Sequence, residues 1–130
     1  MEQYLSLWPT FWEGFRVTLL LLAVSGVLSL ILGTLIAAMR ISPIGSLRVF
    51  AAFWVEIARN TPLTLVFFFF AVVVPFLGAR LPFVPLAIAA LAYYTSPFVA
   101  EALRSGINGV PVGQAEAARA RPGTERALSR

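Results

Sequence analysis

The 130-residue sequence contains no cysteine, no histidine, no lysine and no aspartate. Without Cys and His there are no disulfides, thiol nucleophiles, imidazole general bases or Cys/His metal sites. Without Lys there is no P-loop, so ATP is not bound by that route. Charge of either sign is scarce. Charged residues make up 12% of the chain, against about a quarter in soluble domains. Hydrophobic residues make up 59%. This balance excludes a soluble globular enzyme and a disordered chain, and leaves a small integral membrane protein or part of a larger one.

Three stretches carry no charge. They run over Val17–Met39, Thr61–Ala79 and Leu81–Ala100. A hydrocarbon core of about 30 Å needs about 20 helical residues, so each qualifies as a transmembrane helix. The first apolar run is too long for a signal-peptide core and is read as a retained span. The second is expected to begin near Val49, because the run before Glu56 is mostly apolar. The resulting division is an interfacial segment at 1–16, a first span at 17–39, a cytoplasmic loop at 40–48, a second span at 49–79, a third at 81–105, a short segment at 106–120 and a tail at 121–130.

Arginine placement sets the orientation. With the N-terminus outside, Arg16 and Arg80 lie outside. Arg40, Arg48, Arg59, Arg104, Arg119, Arg121, Arg126 and Arg130 then lie inside. The net charge of +4 is therefore positive-inside sorting and not a nucleic-acid footprint. Tyr4, Trp8, Phe11, Trp12 and Phe15 share one face at helical spacing, as an interfacial helix would.

Inside the spans, Gly26, Ser29 and Gly33 form a stripe of small residues expected to pack against another helix, within the chain or across an assembly. Thr61-Pro62 and Pro75 mark kinks or boundaries. Pro97 frees a carbonyl one turn earlier, so the Tyr93-Tyr94-Thr95-Ser96-Pro97 cluster suggests either a helix facing a polar cavity or hydrogen bonding between helices. Glu56 with Arg59, and Glu101 with Arg104, stand at i,i+3 spacing and can share a face. Both pairs are read first as positioning helix ends.

Three segments then stand in order: Gly14-Phe-Arg-Val-Thr18-Leu19, Glu56-Ile-Ala-Arg59-Asn-Thr61-Pro62-Leu63 and the run from Tyr94 to Ala120, YTSPFVAEALRSGINGVPVGQAEAARA. Together they resemble the permease subunits of bacterial ABC importers for polar amino acids. Gly113, Gln114, Ala115, Glu116, Ala117 and Ala118 match that family's EAA signature.

The resemblance implies an all-α integral membrane protein: three transmembrane helices, N-out and C-in, plus a cytoplasmic coupling helix that docks on an ATPase. These would be the N-terminal part of a five-helix core. It also implies a second permease subunit, an extracytoplasmic amino-acid-binding protein and a place in the bacterial inner membrane. The composition of the EAA segment suits a docked helix: Pro111 can begin it, the alanines favour it and Glu116 sits in its early turns. Glu56, Arg59, Thr61 and Tyr94 match motif positions near the family's translocation path. The wording of the third segment is closest to glutamate- or glutamine-type members.

After Ala120 the pattern departs from the family. Pro122 stands where a Gly is expected, no I-x-L-P element follows, and two further spans are lacking. The expectation is a truncated form that does not transport alone. The alternative is a small membrane protein that binds an ABC ATPase without transporting. No nucleophile–base or metal constellation is present, so the chain is not read as an enzyme; ATP hydrolysis belongs to the partner.

Overall fold

A computed structural model describes residues 7–79 and 81–109. Helix α1 spans Trp8–Arg40, α2 Gly45–Asn60 and α3 Leu63–Phe68. A π-helical turn over Phe69–Val73 leads into the single turn α4, Val74–Phe76. Helix α5 spans Phe83–Asn108. The described residues contain no strand.

Two of the expected boundaries are redrawn. The aromatic residues before Arg16 do not form a separate interfacial helix. They are the first turns of α1, which runs unbroken for 33 residues, or about 50 Å. That exceeds the ~30 Å hydrocarbon core. Trp8, Phe11, Trp12 and Phe15 remain exposed there, paired at ring distances of 5.9 Å (Trp8–Phe11) and 5.6 Å (Trp12–Phe15). Tyr4 lies outside the described residues.

The stretch 49–79 is likewise not one helix. α2 and the segment Leu63–Phe76 meet at 99°. The cause is local. A residue before proline is driven from helical to extended backbone, and Thr61 takes φ −93°, ψ 126°. Two carbonyls near the end of α2 accept from side chains: Asn60 Nδ2 donates to Glu56 O and Thr61 Oγ1 to Ile57 O, each at 2.8 Å. Farther on, the widened π turn directly precedes Pro75, whose ring would press on the Ala71 carbonyl of a regular helix. Gly78, at φ +101°, ends the segment in the left-handed conformation that glycine supplies freely.

α1 packs most extensively on α5. The contact row is Ser25, Ser29, Gly33 and Ala37, one i,i+4 ridge, and Gly26 is not in it. A Cβ on Gly33 would stand 2.6 Å from Val99 Cβ and 2.8 Å from the Ser96 carbonyl, so only glycine permits this approach. Ser29 donates back to Ser25 O at 2.6 Å, which satisfies its hydroxyl within the helix. Early residues of α1 face early residues of α5 (Thr18 and Leu21 near Leu91 and Thr95), and Ala37 meets Ala100. The two helices are therefore parallel, and residues 41–82 carry the chain back between their ends. Val55 of α2 closes the Ala37–Ala100 cluster.

α1 and α5 are each long and apolar enough to cross a bilayer, and the bent α2–α4 stretch would make a third crossing. Large side chains such as Leu22, Leu30 and Ile31 are exposed along α1, as expected of a helix solvated by lipid.

Candidate functional site

Where the C-terminal ends of α1, α2 and α5 converge, a charged cavity of about 390 Å3 opens, lined by Arg40, Ala52, Val55, Glu56, Arg59, Asn60 and Glu101. Each helix contributes for a different local reason. Arg40 occupies the last turn of α1 and Arg59 the last turn of α2, where a cation complements the helix dipole. Glu101 stands one position beyond Ala100, which is fully buried against the other helices.

Glu101 is saturated. Arg40 Nη1 donates to its Oε2 at 2.9 Å, and Arg104 donates to its Oε1 through both Nε and Nη2. Both oxygens of one carboxylate are thus used, and α1 is tied to α5 across 61 positions of sequence.

Glu56 and Arg59 have the same types and spacing as Glu101 and Arg104, yet among the described residues they form no ion pair. The Arg59 guanidinium lies instead over the Phe98 ring, 5.6 Å from its centre. The Glu56 carboxylate accepts from no side chain among the described residues.

On the other side of α2 a second pocket, about 470 Å3, is walled by Trp54, Thr61, Leu65, Val66, Phe69, Phe70 and Tyr93. The Trp54 and Tyr93 rings meet edge-on at 5.2 Å. The Trp54 indole N–H is covered and has no acceptor among the described residues.

The four candidate path residues therefore separate. Glu56 and Arg59 face the charged cavity. Thr61 borders the aromatic pocket at the bend. Tyr94 lines neither; its ring stacks on Phe98 at 5.5 Å and touches the cavity only through the ring that carries Arg59. The freed carbonyl expected from Pro97 is that of Tyr93, and Ser96 Oγ donates to it at 3.0 Å. Ser96 and Pro97 are fully buried, whereas Tyr93 and Tyr94 are half-buried and Thr95 is exposed. Gly113, Gln114, Ala115, Glu116, Ala117 and Ala118 lie outside the described residues.

Sequence reasoning missed Arg40, Asn60 and Glu101 as cavity residues. Glu101 was visible only as half of a local pair. Nothing in the linear pattern links it to Arg40.

The same fold is found in a solved amino acid ABC transporter with histidines, with a TM-score of 0.84 and 31% identity over 95% of this chain and 58% of that one. The glutamate transport system permease protein GluC of Corynebacterium efficiens is 45% identical over 88% of this chain and 54% of its own length. The chain is a homologue of amino-acid ABC transporter permeases. The probable glutamine ABC transporter permease protein GlnM of Bacillus subtilis is 42% identical, over 82% of this chain and half of its own length. The arginine transport system permease protein ArtQ of the same organism is 34% identical. No family model matches the chain. The homologue is a multi-pass membrane protein that spans about half the length of the curated relatives it matches.

Proposed function

We propose that the chain serves as a membrane permease component of an ATP-driven importer for a polar amino acid, with glutamate and glutamine the first candidates. The carrying observation is the agreement of fold and sequence with amino-acid permeases along most of the chain. The reading takes the N-terminus as outside and the ends of α1 and α5 as cytoplasmic. The charged cavity then opens near the cytoplasmic side, and Glu56 and Arg59 line part of the substrate path, with Thr61 at the bend beside it. Tyr94 shapes the path indirectly, through Phe98.

α5 ends at Asn108, inside the 106–120 segment and five positions before the EAA signature at Gly113. Gly113, Gln114, Ala115, Glu116, Ala117 and Ala118 would dock on a cytoplasmic ABC ATPase, so movement there is transmitted along α5 to Glu101 and Arg40. An extracytoplasmic amino-acid-binding protein would deliver substrate, and a second permease subunit would complete the path. Hydrolysis of ATP belongs to the ATPase, and the chain supplies no catalytic group.

The test is capture of an amino-acid ABC importer's ATPase subunit by the chain in lipid nanodiscs. Capture by the native sequence, and its loss in a Gly113→Arg, Glu116→Arg double variant, is the expected result. No capture, or capture that ignores these substitutions, refutes the coupling role.

A further inference from the structure

Resting on the importer reading, we propose that Glu56 and Arg59 hold the charged head group common to α-amino acids, with the α-ammonium on Glu56 and the α-carboxylate on Arg59. Four ionised side chains line the cavity. Arg40 and Glu101 are bonded to one another, and the second oxygen of Glu101 is taken by Arg104. Glu56 and Arg59 are what remains: one anion and one cation, one helical turn apart on the same wall, neither closed by an ionic partner among the described residues.

Residues three apart on a helix stand about 5–6 Å apart at Cβ, close enough to pair. Here Arg59 is drawn onto Phe98, and the gap stays open. A compact dipolar ion bridges such a gap. A lone inorganic cation would satisfy Glu56 but be repelled by Arg59, and a lone anion the reverse. An α-amino acid carries both charges across one carbon and answers both. Asn60 gives one amide N–H to the Glu56 backbone carbonyl.

A volume of about 390 Å3 is an order of magnitude above the ~30 Å3 share of one water molecule, so a small solute fits. The substrate side chain would point away from both charges. Glu56 and Arg59 would then recognise amino acids as a class, and discrimination among them would come from other surfaces.

The chain in nanodiscs of phosphatidylcholine and phosphatidylglycerol, which offer no primary ammonium of their own, is titrated with L-glutamine, L-glutaminamide and N-acetyl-L-glutamine. The last two lack the carboxylate and the ammonium respectively. Binding is read by saturation-transfer NMR. Removing one charge-assisted hydrogen bond weakens affinity by about tenfold. The native chain is expected to prefer glutamine over each analogue by that factor. Glu56→Gln should abolish the preference over N-acetylglutamine only. Arg59→Gln should abolish the preference over glutaminamide only, and Arg59→Lys should keep it.

Each preference is a ratio measured on one sample, so a partly unfolded fraction does not alter it. The proposal is overturned if the native chain shows no preference, or if the variants leave both preferences intact. Absence of glutamine binding in a preparation that still captures the ATPase overturns this inference alone. Absence of both overturns the importer reading with it.

Discussion

Glu56–Arg59 and Glu101–Arg104 are the same two residue types at the same spacing, each near the end of a helix, yet only one of them is an ion pair. The difference lies in what a third element brings. Beside Glu101, α1 delivers Arg40, and the carboxylate is locked by two guanidinium groups. Beside Arg59, α5 delivers the Phe98 ring, and the guanidinium leaves its neighbour for the aromatic face. Local spacing makes a pair available. The elements packed around it decide whether it closes, and an unclosed pair in a cavity is open to a ligand.

The most severe way to break this contrast is to remove the third element from Glu101. Gly33→Leu forces α1 away from Val99 and Ser96, and should destabilise the protein by about 3 kcal/mol. SDS-induced unfolding in mixed micelles, followed by circular dichroism, measures it. A loss under about 1 kcal/mol, the lower bound for overpacking, would mean that the close approach of α1 and α5 is not required.

Next in size is Glu101→Gln, which removes one charge from a three-residue cluster whose side chains are 24% to 35% exposed. About 1.5–2 kcal/mol should be lost, toward the lower part of the range for charged hydrogen bonds because water still reaches the site. Exchanging the charges of all three residues, Arg40→Glu and Arg104→Glu with Glu101→Arg, should recover most of it, since both ion pairs of the cluster re-form with reversed polarity. If the exchange recovers nothing, the tie between α1 and α5 is not electrostatic.

Phe98→Leu acts on the other pair. It removes the ring that holds Arg59 and should cost about 0.5–1 kcal/mol, the usual worth of a cation–π interaction. The same unfolding assay reads it, with Arg59→Gln as the matching control: the two substitutions should not add.

The smallest effect sharpens the comparison most. A double-mutant cycle between Glu56 and Arg59 should give a coupling near zero in the native protein. In the Phe98→Leu background it should rise to about 0.3–0.5 kcal/mol, the value of an i,i+3 or i,i+4 helix pair. Equal coupling in both backgrounds would show that Phe98 does not keep the pair apart.

Much of the architecture could be read from single residues. The bend follows from Thr61-Pro62, because proline acts on its neighbour's backbone whatever surrounds it. The parting of α1's small residues into packed and unpacked ones could not be read so. Gly26 and Ser25 are both small, but the row that faces α5 is Ser25, Ser29, Gly33 and Ala37, set by the crossing of two helices far apart in sequence. The YYTSP cluster shows the same division. That Pro97 frees a carbonyl was legible; that a buried Ser96 answers it depends on a rotamer and on neighbouring helices. Of the candidate path residues, Glu56 and Arg59 do share a cavity, while Tyr94 is turned onto Phe98 by the packing of α5.

Composition and periodicity determined by themselves that this chain lives in a membrane and that its backbone breaks at Thr61-Pro62. These are properties of hydration and local sterics, which each residue carries with it. Only the tertiary structure decided that Arg40 reaches Glu101, that Arg59 rests on Phe98, and that Glu56 is left open beside it. A charge takes its partner from what lies within a few ångströms in space, and three helices must pack before that distance exists.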